Sequence, residues 1–222
     1  MLFKAIQVGS QIFQEEADKA GFYDTCLSSL VLDINDNKTI MQNEVRKLHK
    51  FINEWGTRCQ WSVEQLTEAI ISVQADLSAL SKYTILDINF KAFVTSREGY
   101  YSDMIKNIFE WIATCGPRRE TTGTSKVLHM LNPQLFVMWD NKIRGGYACS
   151  ESAQSYSCSF LPRIQMVLTK AIKEAEKQLG LDHNHAIEKL CQRGHTLAKV
   201  VDEYNYVKFT WARPEVWEEE FK

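Results

Sequence analysis

The chain has 222 residues, enough to bury a substantial hydrophobic core in one helical body or in two lobes that share a cleft. Its formal net charge of -2 gives no overall basic character, which argues against an indiscriminate nucleic-acid binder. The six cysteines show no Cys-x-x-Cys spacing, so neither a zinc site nor an iron–sulfur cluster is expected. We therefore assign no metal and no cofactor.

Apolar residues recur at helical spacing along nearly the whole chain. In chain order, the predicted helices cover about 1–20, 25–34 (before a break at 35–37), 39–55, 62–81, 103–115, 125–131, 160–179, 185–193 and 195–211. Ser62 with Gln65 has the pattern of a capping box, and Gly180 is typical of a helix end. Only 85–93 and 206–211 alternate as strands do. The pattern predicts an all-α fold of about ten helices, with 1–222 as a single domain.

The most informative stretch is 121–147, which reads TTGTSKVLHMLNPQLFVMWDNKIRGGY. It puts Lys126 near a predicted helix start and Asp140 in the N-cap position of the next helix. A cation at a helix N-terminus opposes the dipole by roughly 0.3–1 kcal/mol, and the same field lowers the pKa of the amine. A neutral lysine can form a Schiff base, while a fixed carboxylate can stabilise a carbocation. The alternatives are a solvated surface lysine and a simple helix cap.

The run GTSKVLHML, a turn that contains Pro133, an apolar segment and WDNKI together resemble the catalytic core of helix-hairpin-helix DNA glycosylases, especially the 8-oxoguanine type. The resemblance implies a divergent member with a multi-helix fold, whose hairpin and catalytic segment span about 103–147. It also implies that Lys126 is the nucleophile and that Asp140 stabilises the sugar cation. Strand cleavage by an AP lyase step is expected to follow base removal.

The stretch 115–123, CGPRRETTG, stands where that family has a shorter, apolar hairpin. Glycine permits close backbone approach, threonine hydroxyls donate hydrogen bonds, and arginine supplies charge beside a helix N-terminus, so this stretch is predicted to grip a DNA phosphate. The alternative is a solvated polar loop. The residues predicted to contact DNA are Arg118, Arg119, Thr121, Thr122, Gly123, Thr124, Lys142 and Arg144.

A flipped base is usually held between aromatic or apolar surfaces, and several candidates lie near the catalytic segment. The predicted base pocket consists of His129, Phe136, Trp139 and Tyr147. Further aromatic candidates, each of which could instead belong to the core, are Tyr156, Tyr204, Tyr206, Phe209 and Trp211. The Gly- and Ser-rich stretch 145–159 is predicted to be a mobile loop at the border of the DNA site.

These observations predict a monomeric enzyme that removes a damaged or modified base from double-stranded DNA by base flipping. One alternative is an anti-phage glycosylase that acts on hypermodified phage bases. A second is a non-catalytic helical module that binds DNA or protein, and a third is hydrolysis of free nucleosides or nucleotides. No apolar run is long enough to span a membrane and no secretory leader is recognised, so a cytoplasmic protein with reduced thiols is expected.

Overall fold

The structure, a computed structural model, describes residues 1–18, 21–30, 38–95, 98–191 and 194–217, without the side chains of 38–40. Helices dominate this part of the chain, which confirms the all-α prediction. They are α1 (Leu2–Glu16), α2 (Phe22–Ser29), α3 (Lys38–Glu54), α4 (Val63–Ser72), α5 (Gln74–Leu80), α6 (Tyr101–Ala113), α7 (Thr121–Leu131), α8 (Asn141–Gly146), α9 (Ala153–Ser155), α10 (Leu161–Leu179), α11 (His183–Leu190) and α12 (Leu197–Asn205). No helix in the described ranges is both long and apolar enough to cross a bilayer.

Two predicted helix boundaries are confirmed. The amide of Gln65 donates to Ser62 Oγ at 3.1 Å, and the amide of Ser62 donates to Gln65 Oε1 at 2.9 Å, which completes the capping box of α4. Gly180 ends α10 with a left-handed φ of 64°. The predicted helix 62–81 is, however, divided at Val73, whose ψ of 9° leaves the helical region and separates α4 from α5.

Both strand predictions are wrong. Most of 85–92 forms turns, and the small sheet pairs β1 (Phe93–Val94) with β2 (Gly99–Tyr100) in an antiparallel arrangement. Residues Tyr206–Thr210 form a π-helical turn that continues α12. Six residues are too few for apolar alternation to distinguish a strand from a helical turn. The predicted helix residues 31–34 and 192–193, and the predicted break at 35–37, lie outside the described residues.

The prediction of a mobile loop over 145–159 is also wrong for most of its length. The end of α8, all of α9 and a π-helical turn, Tyr156–Phe160, lie in this stretch. Ser152 caps α9 by accepting a hydrogen bond from the amide of Ser155. Tyr156 is completely buried, and its hydroxyl donates to the carbonyl oxygen of Val137 at 2.8 Å. Serine caps and aromatic anchors therefore order a stretch whose composition is typical of a loop.

Helix α12 lies inside the molecule, because every residue from Leu197 to Asn205 is buried. Helix α1 packs along it, and Gly9 permits the close approach, since a Cβ atom there would stand 3.0 Å from the Cα atom of Tyr204. Helix α7 packs against α6 and α3. This arrangement brings α1, α3, α7 and α12 around one cavity.

Candidate active site

A cavity of about 220 Å³ lies where α7 and α8 meet α1, α12 and the end of α3. Both residues of the predicted catalytic pair, Lys126 and Asp140, line it. The other lining residues are Phe13, Trp55, Gly56, Thr122, Met138, Trp139, Ile143, Asp202 and Tyr206. The cavity thus combines an amine and two carboxyl groups with aromatic and apolar walls, a composition typical of small-ligand sites.

Lys126 does not lie at a helix start. Helix α7 begins at Thr121 with Glu120 as its N-cap, so Lys126 is in the second turn. The helix dipole acts mainly within the first turn and does not account for a lowered pKa at this position. Instead, burial lowers the pKa of Lys126 to about 8, and it does so although Asp202, Cys59 and Asp140 all favour the charged amine.

The Lys126 amine has one polar contact and one aromatic neighbour. Its Nζ donates to the carbonyl oxygen of Trp55 at 2.7 Å and lies 5.3 Å from the centre of the Trp55 ring. Neither of these two contacts involves a carboxylate. With a pKa of about 8, roughly a tenth of the amine is neutral at pH 7, against a few parts in ten thousand for an ordinary lysine.

Asp140 occupies the predicted N-cap position of α8. Its Oδ1 accepts the amide hydrogen of Ile143 at 2.7 Å, and its Oδ2 accepts the hydroxyl hydrogen of Thr210 at 2.6 Å. The π-helical turn that follows α12 carries Thr210 to this position. One oxygen is therefore fixed by the backbone of α8 and the other by the end of α12, so the carboxyl group is oriented before any ligand arrives.

The chain between the two residues is fastened to α7 by hydrogen bonds. The amide of Trp139 donates to Ser125 Oγ at 3.1 Å, and the Trp139 indole donates to the carbonyl oxygen of Thr121 at 3.3 Å. Ser125 precedes Lys126 and Trp139 precedes Asp140. The hydrogen bond between Ser125 and Trp139 therefore brings the Lys126 amine and the Asp140 carboxyl group to the same cavity, although Lys126 and Asp140 are 14 positions apart in sequence.

Among the predicted base-pocket residues, only Trp139 lines the cavity, while Tyr206 from the wider aromatic set also reaches it. His129 is completely buried, and it bonds the hydroxyl of Tyr23 at 2.8 Å and the carbonyl oxygen of Phe136 at 2.7 Å. Burial lowers the pKa of His129 to about 3, so the ring is neutral.

Phe136 and Tyr147 also lie away from the cavity lining. Phe136 is completely buried in the core. The Tyr147 hydroxyl donates to Asn205 at 2.9 Å, and the Tyr147 ring packs against Phe160 and Phe209. His129, Phe136 and Tyr147 thus lie outside the lining of this cavity, and their assignment to a base pocket stays a prediction.

Only some of the residues predicted to contact a DNA phosphate are accessible to a ligand. A Cβ atom on Gly123 would stand 2.2 Å from Cys59 Sγ and 2.9 Å from the Trp61 ring, so this glycine permits helix packing. Thr124 is buried and bonds the carbonyl oxygen of Glu120, and Thr121 is buried and donates to Glu151 at 2.7 Å. Thr121, Gly123 and Thr124 are thus engaged inside the protein, and their assignment as DNA contacts stays a prediction. Thr122, by contrast, lines the cavity.

The four cationic residues predicted to contact DNA also differ in how freely their charges are presented to a partner. Arg118 and Lys142 are exposed. Arg119 forms a two-pronged ion pair with Glu110, in which Nη2 lies 2.6 Å from Oε2. Arg144 pairs with Glu151 at 3.1 Å and lies 5.8 Å from the centre of the Trp139 ring. Arg118 and Lys142 therefore present their charges more directly to a partner than the two paired arginines do.

Sequence reasoning missed a buried charged cluster on α12. Lys199 is completely buried, and its Nζ lies 3.5 Å from Asp202 Oδ2 and 3.5 Å from Glu203 Oε1. The rings of Phe13, Tyr23 and Trp55 surround the same nitrogen at 4.6, 4.6 and 4.9 Å. A buried ammonium is thus compensated by two carboxyl groups and three aromatic faces.

The two carboxyl groups beside Lys199 differ in their surroundings. Burial raises the pKa of Asp202 to about 7, against the opposing charge of Lys199. Burial also acts to raise the pKa of Glu203, but Lys199 and His195 outweigh it and hold that pKa below its usual value. Glu203 has the richer set of polar neighbours, with His195 at 3.0 Å and the Ser10 hydroxyl at 2.5 Å. Glu203 is therefore the fixed anion of the cluster, and Asp202 is the group that can change its protonation state near neutral pH.

Within the described ranges, no group of three or more His, Cys, Asp and Glu residues is arranged to hold a metal ion. Comparison of the chain with protein-family models, with curated proteins and with solved structures finds no match.

Proposed function

We propose that the chain is a DNA N-glycosylase with AP lyase activity, in which Lys126 is the nucleophile and Asp140 stabilises the sugar cation. The observation that carries the proposal is the shared cavity. It contains a lysine amine whose pKa is lowered to about 8 and a carboxyl group fixed in position by two hydrogen bonds. These are the two groups that the resemblance to helix-hairpin-helix glycosylases assigns to catalysis.

Catalysis begins when a nucleotide leaves the stack and its base enters the cavity, at a cost of a few kcal/mol that is smallest for damaged or mispaired bases. As the bond between C1′ and the base breaks, the electron pair leaves with the base, and positive charge grows on the deoxyribose beside Asp140. The neutral Nζ of Lys126 then shares its electron pair with C1′. Opening of the C1′–O4′ bond, with a proton transferred to O4′, produces the Schiff base.

The same intermediate leads to strand cleavage. Loss of a proton from C2′ expels the phosphate at C3′ with its bonding electrons, because the Schiff base accepts the electron pair left at C2′. Water then hydrolyses the Schiff base and releases Lys126. Both activities depend on one amine, so a single substitution at Lys126 should remove both.

The setting of Lys126 favours an enzyme over a non-catalytic module. A buried lysine is costly for stability unless it is paired with a carboxylate. Lys199 has such partners at 3.5 Å, whereas the bond described for Lys126 Nζ goes to a backbone carbonyl oxygen. An amine whose pKa is lowered to about 8 is useful for nucleophilic attack and has no evident use in a module that only binds.

Borohydride trapping tests the proposal. The protein is incubated with duplex oligonucleotides that contain oxidised, deaminated, alkylated or hypermodified bases, and the Schiff base is reduced to a stable adduct. We expect an adduct on at least one substrate with the wild type and with Lys4→Ala, and none with Lys126→Ala. Lys4 is exposed on α1, outside the cavity lining and outside the predicted DNA contacts, which makes it the control. Absence of base release on every substrate would overturn the proposal, and activity on free nucleosides without duplex DNA would indicate a nucleosidase instead.

A further inference from the structure

On the basis of that proposed function, we propose that Asp202 is the proton-transfer residue of the site. Through one water of the cavity, it takes a proton from Lys126 Nζ before the attack on C1′ and returns it to the departing base. Asp202 belongs to α12, far in sequence from the catalytic segment.

Geometry separates Asp202 from the other carboxyl groups nearby. Asp202 lines the cavity together with Lys126, whereas Glu203 is not part of the lining. Among charged groups, Asp202 exerts the strongest electrostatic influence on Lys126, ahead of Asp140. The oxygens of Asp140 are engaged by Ile143 and Thr210 at 2.7 and 2.6 Å, while the contact of Asp202 with Lys199 is looser, at 3.5 Å.

The charges around Asp202 make the transfer feasible. From its own helix it faces Lys199 and Glu203, and from α7 it faces Lys126. It also influences the hydroxyls of Tyr23, Tyr156 and Tyr206. Because Lys199 keeps Glu203 as a second partner at 3.5 Å, neutralising Asp202 does not leave a buried ammonium alone.

Burial brings the pKa values of Lys126 and Asp202 close to each other. It lowers the pKa of Lys126 to about 8 and raises that of Asp202 to about 7. A difference of about one unit makes the transfer only about tenfold unfavourable. The transfer converts an ammonium and a carboxylate into two neutral groups, a change that a cavity of low polarity favours.

The proton balance closes over one base-removal event. The Asp202 carboxylate accepts a proton from the Lys126 ammonium. The bond between C1′ and the base breaks, its electron pair leaves with the base, and the protonated Asp202 supplies the proton that the base needs. The neutral amine then forms the bond from Nζ to C1′. Asp202 is then a carboxylate again, and the positive charge resides on the nitrogen bonded to C1′.

The test uses a duplex that contains an abasic site, because its C1′ aldehyde lets Schiff base formation be measured without base departure. The rate of borohydride trapping is measured under single-turnover conditions at pH 6.5 to 7. We expect Asp202→Asn to slow trapping at least tenfold. Asp24→Asn is the control, since Asp24 contacts the same cluster through His195 at 3.2 Å but has a largely exposed side chain outside the cavity.

The sign of the effect distinguishes proton transfer from a purely electrostatic role. The Asp202 carboxylate favours the charged state of Lys126, so its loss alone would lower the pKa of the amine further and raise the neutral fraction. An electrostatic role therefore predicts that trapping by Asp202→Asn is equally fast or faster, and that result would overturn the inference. If the wild type traps no substrate, abasic or base-containing, the proposed function fails instead.

Stability is controlled by a second variant. If Asp202→Asn does not fold, as judged by circular dichroism and urea unfolding, the same assay is run on the double variant Lys199→Met/Asp202→Asn. This variant removes a buried cation together with a buried anion and leaves the pair of Glu203 with His195 in place. Because the charge of Lys199 lowers the pKa of Lys126, the reference here is Lys199→Met alone. Slower trapping by the double variant than by Lys199→Met supports the inference, and trapping at the rate of Lys199→Met overturns it.

Discussion

Lys126 makes two contacts with Trp55. Its Nζ donates a hydrogen bond of 2.7 Å to the Trp55 carbonyl oxygen, and the same nitrogen forms a cation–π contact at 5.3 Å from the centre of the Trp55 ring. The same ring lies 4.9 Å from the buried Nζ of Lys199. One tryptophan next to the end of α3 thus contacts the partly buried amine of Lys126 and the fully buried amine of Lys199. The bond to the carbonyl oxygen holds the Lys126 amine at the cavity wall.

Lys126→Met removes the amine but keeps a flexible apolar side chain of similar length. We expect no borohydride adduct on any substrate. The free energy of unfolding should stay within about 1 kcal/mol of the wild type or increase, because the cost of burying the amine disappears. Urea unfolding and the trapping assay measure the two effects, with Lys4→Met as the exposed control. An adduct that persists in Lys126→Met would assign the nucleophile to another residue.

Substitution of Asp140 separates capping from catalysis. Asparagine caps helices about as well as aspartate, so Asp140→Asn should alter the free energy of unfolding by less than about 0.5 kcal/mol, while Asp140→Ala should cost about 1 kcal/mol. Both variants lose the negative charge and should release base about 100-fold more slowly. Single-turnover kinetics provide the measurement. Full activity in Asp140→Asn would mean that Asp140 only caps α8.

The Lys126 amine should also affect how stability depends on pH. Its pKa in the folded chain is about 8, against an ordinary 10.5, so between these values the unfolded chain binds a proton that the folded chain lacks. Stability therefore rises with pH in this window, by on the order of 1 kcal/mol per unit. Buried Cys59, whose pKa is raised, makes stability fall as pH rises in this range. This contribution is present in both the wild type and Lys126→Met, so the comparison of the two proteins removes it. Between pH 8 and pH 9.5, urea unfolding should show that the free energy of unfolding of the wild type increases relative to that of Lys126→Met. The same pH dependence in both proteins would contradict a lowered pKa of Lys126.

Gly123→Ala tests the packing of α7. The new methyl group would stand 2.2 Å from Cys59 Sγ and 2.9 Å from the Trp61 ring, and such overpacking costs roughly 1–3 kcal/mol. Adding Cys59→Ala should recover part of the loss, which a double-mutant cycle measured by urea unfolding would show. Gly145→Ala is the matched control, since it lies in α8 with no atom near the added methyl and should be neutral or slightly stabilising. Equal effects at the two glycines would argue against the packing assignment.

The sequence predicts the catalytic segment better than its surroundings. Lys126 and Asp140 lie close together in sequence, and the N-cap at Asp140 follows from local pattern alone. The predicted start of α7 is wrong because the sequence of Thr121 to Thr124 is typical of a loop, yet these residues form the first turn of the helix. The cause of the low pKa of Lys126 is therefore burial, which only the tertiary arrangement reveals.

The charged cluster could not be recognised from local pattern. Lys199 with Asp202 at i+3 and Glu203 at i+4 has the spacing of ion pairs on a solvated helix face. Complete burial of α12 results from long-range packing against α1 and from the aromatic residues around Lys199, and neither is encoded in the nine residues of the helix. The charged residues within the fully buried α12 are recognisable as a cluster only in the three-dimensional structure.

Helix α12 and the π-helical turn after it also limit how the protein can be divided. Asp202 reaches the cavity from the helix, and Thr210 reaches Asp140 from the turn. A fragment confined to 103–147 would contain Lys126 and Asp140, but neither the cavity wall formed by α12 nor the Thr210 hydroxyl that holds the Asp140 carboxyl group. Grafting that segment onto another helical scaffold would therefore transfer the motif without its reactivity, unless an equivalent of α12 were transplanted with it.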